Sequence, residues 1–531
     1  MTGPTHWKPR CSIEEADTIL TAPGSPLEIE TQDVDGRVLK VWKNLSPSVR
    51  AFFLHATKEH VGKTCVVYEK ERYTFQQMLE MVVTAAMFRD VYGVKKCDRV
   101  VICSRNLLSY YTVFWACHLL CAVTALVAAI RPSQALYHTY EMYTDPERAE
   151  QIEPIAADLK RASGASGYLV LQDHEGKGHW EGWDGWSEAF LEYRKDPGEI
   201  LRDDPRIIPE DNATIIFTSG TTGLPKGILS TQRAFLTFFF NSASTVGRDY
   251  IRRGVPIPSS LASGMNNGIL LSSPLFHATG TSATLTGAFY GTKMILMIKW
   301  NVAEAVRLCK EEGVISLGGV PSLITDLADS PLSGSPIEVI TIGGAPVALS
   351  LLRRSKEAFP HATLGQGYGS TETNATSVGF CSSKWVLTID GWVMTGDLGC
   401  IDEEGYVYVK DRIKDIIIRG GESVDSWTST MGVAGAGWRA LPDERLGELV
   451  TALVTVKPRY HGKPSEKKLL ETAKRLLPKF AVPIMIILKD GEFDHTPSGK
   501  TVKAQSRIIA RKEWLRRRKE DTQMDEAKSK L

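Results

Sequence analysis

Short runs of β-branched and aliphatic residues alternate with amphipathic stretches from about residue 60 to about residue 340. RVVICSR (99–105) leads into a long apolar segment, ATIIFTS (213–219) precedes a helical pattern from about Thr231, and PIEVITIGGAP (336–346) precedes SLLRRSKEAF (350–359). Such alternation predicts a parallel sheet with helices on its faces. Near Gly405 the pattern changes. YVYVKDRIKDIIIRGG (406–421) reads as two strands around a polar turn. GELVTALVTV (447–456) reads as a strand, SEKKLLETAKRLLPKF (465–480) as a helix, PIMIILKD (483–490) as a strand, and a basic helix starts at about Ala504. The predicted class is therefore α/β, a large N-terminal part of parallel-rich sheets with helices followed by a small α+β part.

One stretch breaks the rhythm. Ser109–Ile130 is almost uncharged, is flanked by Arg105 and Arg131, and is long enough to span a bilayer. Ser109, Thr112, His118 and Thr124 interrupt it, and a buried helix followed by a buried strand would read the same way; no stable membrane span is expected. At 531 residues the chain is too long for one core. A formal net charge of +1 gives no electrostatic reason to bind nucleic acid, and Glu and Asp interleave with the charges of the C-terminal basic helix. Nine cysteines lie scattered without a C-x-x-C pair, which speaks against zinc and a disulfide framework.

The candidate chemistry begins at TSGTTGLPKG, Thr218–Gly227. Glycines let successive backbone N–H groups turn inward as an anion nest, hydroxyls add donors, and Lys226 adds a mobile positive charge. The expected guest is a polyphosphate. The Walker pattern fails, because Pro225 precedes the lysine and Gly227 follows it. Further along, GQGYGSTET (365–373) offers Tyr368 to stack on a purine, Thr371 to donate to a phosphate and Glu372 to hold Mg²⁺, which prefers one or two carboxylates plus phosphate oxygens. TGDLG (395–399) places Asp397 in an expected tight turn, where one carboxylate can accept from both ribose hydroxyls. DRIKD (411–415) supplies Arg412, and TPSGK (496–500) ends in Lys500. Each alone has a structural reading as a turn or a surface ion pair; five in this order do not.

In these motifs the sequence resembles the adenylate-forming superfamily of acyl-CoA synthetases, 4-coumarate–CoA ligases, luciferases and peptide-synthetase adenylation domains. The resemblance runs from about residue 40 to about residue 510. It implies an N-terminal AMP-binding domain (1–410), a hinge at Lys414 and a small C-terminal domain (411–531). It implies an acid–thiol ligase that turns a fatty or aryl carboxylic acid into an acyl-adenylate with ATP and Mg²⁺, then passes the acyl group to coenzyme A. By the same resemblance Thr218, Ser219, Gly220, Thr221, Thr222, Gly223 and Lys226 hold the departing phosphates. Gly343, Gly344, Ala345 and Pro346 flank the adenine with Tyr368 and Gly369. Thr371 and Glu372 serve phosphate and metal, Asp397 and Arg412 the ribose, and Lys500 bridges the α-phosphate and the attacking carboxylate. Gly420 and Gly421 fall in the loop lining the thiol tunnel. His277, in PLFHATG, lines the acyl pocket, with Met265–Asn267 and the residues up to Gly280 beside it.

Two connections are shorter than the family pattern, at 381–391 and 425–440. The first lacks the family's GE-x-x-x-x-G-x-x-x-x-GY signature, and the second, Gly/Ala-rich and without periodicity, is expected to be poorly packed. AIRPSQALYHTYEMYTDPERAE (129–150) is also less strand-like than the matching family segment. The missing segments permit a second reading, a nucleotide-binding relic without catalysis; a luciferase-like adenylating oxygenase is a third, because luciferases share both the motifs and a peroxisomal address. Ser529-Lys530-Leu531, after a polar tail expected to be flexible, matches the address read by the peroxisomal import receptor, so the peroxisome matrix is the expected location.

Overall fold

The structure, a computed structural model, describes residues 9–127, 141–144, 146–165, 167–171, 180–186, 196, 198–218, 226–256, 268–344, 347, 349–374, 397–401, 407–412, 417–419, 422–424, 435–443, 445, 447–456, 465–477, 479–489, 491, 493 and 503–529. The chain divides into two compact units, residues 1–344 with 354–394, and residues 345–353 with 395–531.

The larger unit is built on two seven-stranded sheets. In the first, the strand Arg99–Cys103 has Val123–Leu126 on one side and Glu141–Thr144 on the other, all parallel. The sheet extends outward through Asn212–Thr218 on the first side and through Gly167–Val170 and Asp184–Gly185 on the second. Lys226–Thr231 closes one edge as an antiparallel hairpin partner of Asn212–Thr218. In the second sheet, Gly268–Leu271 is flanked by Lys293–Leu296 and Val314–Gly319. Val339–Gly343 and Thr363–Gly367 continue one side in parallel. Thr64–Tyr68 and its antiparallel hairpin partner Glu71–Thr74 close the other. Each sheet thus reverses its strand order at one strand, Arg99–Cys103 or Gly268–Leu271. Ligands of open α/β sheets collect beyond the C-terminal ends of such strands.

The apolar segment from Ser109 is resolved by this architecture. The helix Leu108–Leu119 is buried on every side, and the chain then turns to enter the sheet as Val123–Leu126. Among the described residues no helix is long and apolar enough to cross a membrane. Trp115 of this helix stacks on Phe53 at 4.4 Å. The buried Arg50 donates to the carbonyls of Leu119, Ile200 (2.9 Å) and Asp203 (2.8 Å), so one guanidinium satisfies the C-terminal ends of two helices, Leu108–Leu119 and Glu199–Arg202. Burial pushes its pKa down, against the opposing pull of Asp203 and Asp204. A buried ion pair, Lys293 Nζ to Glu312 at 2.9 Å with Arg72 on the other carboxylate oxygen, joins the second sheet's edge to the end of helix Val302–Glu311.

In the smaller unit the strand Gly447–Thr455 pairs antiparallel with Gly435–Asp443 and parallel with Met485–Lys489. The helix Glu466–Leu476 and the long helix Lys503–Ser529 pack on this sheet. Trp514 seals a core of Leu441, Leu449, Met485 and Ala510. The long helix is pinned by Arg517, whose Nη1 lies 2.7 Å from Glu466.

Three expectations are corrected here. Glu141–Thr144, in the run judged less strand-like, is an interior strand of the first sheet, because parallel neighbours on both sides supply its hydrogen bonds. Gly435–Ala440, read as part of an unpacked bridge, is strand from Gly435 onward, paired residue for residue with Gly447–Thr455. Residues 425–434 and 381–391 lie outside the described residues. The C-terminal tail, expected to be flexible, continues the helix as far as Ser529.

Candidate active site

Thr218 and Lys226, the two ends of the phosphate loop, lie on paired strands of a hairpin. Thr218 and Lys226 are directly opposite in the register of Asn212–Thr218 and Lys226–Thr231, and Thr218 Oγ1 donates to Lys226 O at 3.4 Å. Between them, Ser219, Gly220, Thr221, Thr222 and Gly223 lie outside the described residues. A Cβ on Gly227 would lie 2.9 Å from Ile215 Cγ2 and 3.3 Å from Phe217 Cζ, so those side chains would have to shift to admit one. Helix Gln232–Arg253 follows at once, with Thr231 as its cap accepting from Ala234 N at 3.2 Å. Lys226 is exposed, free to reach a ligand.

The second sheet brings two predicted groups side by side. Gly343 is the register partner of Gly367, and a Cβ on Gly343 would lie 2.9 Å from Gly367 O. The parallel strands Val339–Gly343 and Thr363–Gly367 therefore end together. Gly344, at φ +77°, leaves one strand and Tyr368, half-buried, leaves the other. Ala345 and Pro346 lie outside the described residues. Beyond Tyr368 and the exposed Gly369, Thr371–Thr373 forms a single 3₁₀ turn, with Ser370 N donating to Thr373 Oγ1 at 3.1 Å. Thr371 and Glu372 are both half-buried there.

Asn374 joins this turn to the hairpin, and sequence reasoning missed it. Its φ is +52°, in the left-handed region. Ser230 Oγ donates to Asn374 Oδ1 at 2.9 Å, and Asn374 Nδ2 donates to Ala234 O at 3.2 Å. A second missed residue is Asn106, in the loop after Arg99–Cys103. Its Oδ1 accepts from Leu275 N at 2.8 Å and its Nδ2 donates to Ser273 O at 3.1 Å. That buried amide ties together the loops leaving the two reversal strands of the two sheets.

His277 stands at the end of the second of those loops. It caps the helix Ala278–Tyr290, with Nδ1 accepting from Thr279 N at 3.2 Å. The helix start folds so tightly onto Pro274 that a Cβ on Gly280 would lie 2.1 Å from its carbonyl oxygen. Met265–Asn267 lie outside the described residues.

In the smaller unit Asp397 opens the strand Asp397–Ile401 rather than occupying the expected tight turn, and its register partner across the antiparallel pair is Arg412. The two residues assigned to the ribose are thus cross-strand neighbours. Lys414, Gly420, Gly421 and Lys500 lie outside the described residues. Among the described residues no group of three His, Cys, Asp or Glu forms a closed metal cage. A cation that keeps its waters and binds one carboxylate plus the phosphates of its nucleotide requires no such cage.

A family model described as AMP-binding enzyme matches residues 53–415, more than half of the chain. A 2-succinylbenzoate–CoA ligase of Bacillus cereus (strain Q1) is 28% identical over 486 residues, spanning 79% of this chain and 90% of that protein. A long-chain-fatty-acid–CoA ligase of Mycobacterium tuberculosis (strain H37Rv) is 25% identical over 503 residues, spanning 81% and 92%. Among solved structures, ATP-bound MatB from Rhodopseudomonas palustris superposes with a TM-score of 0.68 at 21% identity, over 86% of this chain and 98% of that one. The o-succinylbenzoate CoA synthetase of Bacillus subtilis, in complex with its acyl-adenylate, gives 0.64 at 21% identity, over 86% and 97%. With the fold shared and the family model matched across both sheets, the chain belongs to the AMP-binding enzyme family.

Proposed function

We propose that this AMP-forming acyl-CoA ligase activates a fatty or aryl carboxylic acid, and that the residues assigned from the sequence carry the reaction. A carboxylate oxygen of the acid attacks the α-phosphorus of ATP, the bond to the β-phosphate's bridging oxygen breaks, and pyrophosphate leaves. The thiolate sulfur of coenzyme A then attacks the acyl carbonyl, and AMP departs with the electron pair. Glu372 would hold Mg²⁺, which would supply neutralisation of the phosphate charge. Thr218, Ser219, Gly220, Thr221, Thr222, Gly223 and Lys226 donate to the β- and γ-phosphates, where preorganised donors stabilise charge that develops as pyrophosphate separates. Gly343, Gly344 and Tyr368 hold the adenine, Asp397 and Arg412 the ribose, and Lys500 the reacting carboxylate and α-phosphate.

The observation that carries this reading is that Asn374, two residues after Glu372, ties the Thr371–Thr373 turn to Ser230 and Ala234, on the strand and helix that follow the proposed phosphate loop. The acid class rests on the relatives, one named for an aryl acid and one for long-chain fatty acids. The test is a panel of straight-chain and aryl acids assayed for pyrophosphate release and for thioester formation with coenzyme A. Release and thioester together support the ligase. Release without thioester leaves an adenylating enzyme of another kind, and neither product with any acid would sink the reading.

We also propose the peroxisome matrix as the place of action, supported by Ser529-Lys530-Leu531. A fluorescent protein carrying the final residues of this chain should collect in peroxisomes, and should become cytosolic when Leu531 is removed. A diffuse signal from the intact tripeptide would refute it.

A further inference from the structure

We propose that Asn374 is a positioning residue, whose side-chain amide fixes the distance between the phosphate hairpin and the magnesium carboxylate. The inference rests on the assignment of Glu372 and the hairpin given above and deepens it. Asn374 follows Glu372 by two residues and closes the 3₁₀ turn, with its own N–H donating to Thr371 O at 3.0 Å. Its side chain uses both ends of one rigid plane. Oδ1 accepts from Ser230, a buried residue on the strand that leaves the hairpin, and Nδ2 donates to Ala234 in the first turn of the following helix. Strand, helix and acidic turn thereby share one amide. The contact spans 144 and 140 residues of sequence, so neither local turn geometry nor helix capping requires it.

Backbone conformation sharpens the choice of residue. At φ +52° glycine and asparagine are tolerated and most other side chains are strained, but only asparagine also reaches both partners. Glutamine carries the amide one methylene too far and without the backbone preference, and aspartate accepts from Ser230 while losing the donor to Ala234.

The consequence is selective. ATP touches both halves of the arrangement, the hairpin through its β- and γ-phosphates and Glu372 through Mg²⁺. AMP has neither of those phosphates. Loosening the amide tie should therefore weaken MgATP and spare AMP. In the full chain, Asn374→Gly, which keeps the left-handed backbone, and Ser230→Ala are measured by calorimetry with MgATP and with AMP. Each should raise the Kd for MgATP about three- to tenfold, the span of one or two lost hydrogen bonds, and leave the Kd for AMP within about twofold. The double variant should be no weaker than the weaker single one, because both remove the same tie. An equal loss for MgATP and AMP would overturn the proposal, since a merely local loosening treats both alike, and so would an unchanged Kd for MgATP. Glu372→Gln separates the two layers. If it weakens MgATP while Asn374→Gly does not, only the positioning role falls; if it also leaves MgATP unchanged, the site assignment falls with it.

Discussion

His118 is fully buried in the helix Leu108–Leu119, ringed by Phe114 and Phe235, and neither ring nitrogen has a hydrogen-bond partner. Burial drives its pKa from 6.5 down to about 3, so the folded protein holds it neutral. The unfolded chain binds a proton there below its ordinary pKa and the folded chain does not, so stability is full above about pH 6.5 and drains as pH falls toward about 3. His118→Leu should remove that part of the acid sensitivity and hold or raise the urea midpoint at pH 7, by roughly 1 kcal/mol for the unpaired polar atoms it deletes. A variant as acid-sensitive as the parent would contradict this account. Asn106→Ala should do the opposite, leaving the Leu275 N–H and the Ser273 carbonyl without their partner at a cost of about 1–3 kcal/mol, read as a lower urea midpoint. Thr218, Tyr368, Glu372, Asp397 and Arg412 stand out in the sequence because their motifs pack several chemical types into a few residues. Asn106 and Asn374 do not. An asparagine in a turn always has a local explanation, and what distinguishes these two is a partner more than 130 residues away.

Among the groups assigned to the nucleotide, Gly343 meets the partner strand's backbone at Gly367. A methyl group on Gly343 would meet backbone rather than a pliable side chain, at 2.9 Å. Gly343→Ala should push the two strand ends apart and lower kcat/KM for ATP by about ten- to a hundredfold, the scale of a misplacement near 1 Å, with a far smaller change in thermal stability. Comparable losses for coenzyme A in the thioester step, started from preformed acyl-adenylate, would show a general disturbance instead. Most elements of this kind were readable from periodicity: Val339–Gly343, Glu466–Leu476, Gly447–Thr455 and Met485–Lys489 fall where apolar runs predict them. Glu141–Thr144 and Gly435–Asp443 were not, because a strand with neighbours takes its hydrogen bonds from them whatever its own propensity. The hydrophobic segment after Leu107 could be placed only once its burial was seen, since a membrane span and a core helix share one composition.

For the whole chain, any ligand that binds the folded state alone raises stability by mass action. MgATP at a hundredfold over its Kd should add about 2.7 kcal/mol, and the increment should shrink in Glu372→Gln at the same nucleotide concentration. Thermal melts with and without nucleotide decide this, and an increment untouched by Glu372→Gln would separate the carboxylate from nucleotide binding. The order of strands has a different kind of consequence, one measured in time. Val66 pairs with Met294, yet every strand of the first sheet, from Arg99 to Thr231, comes between them in the chain. A ribosome adding about 5–20 residues per second needs on the order of 10–50 s to cover that interval. Throughout it the hairpin Thr64–Thr74 presents one apolar, unpaired edge, whereas from Thr231 onward the first sheet has all of its strands in hand. The first sheet can close while the second waits. A nascent chain halted before Lys293 is thus a finished sheet carrying an open one, and that is the species on which a chaperone would find its grip.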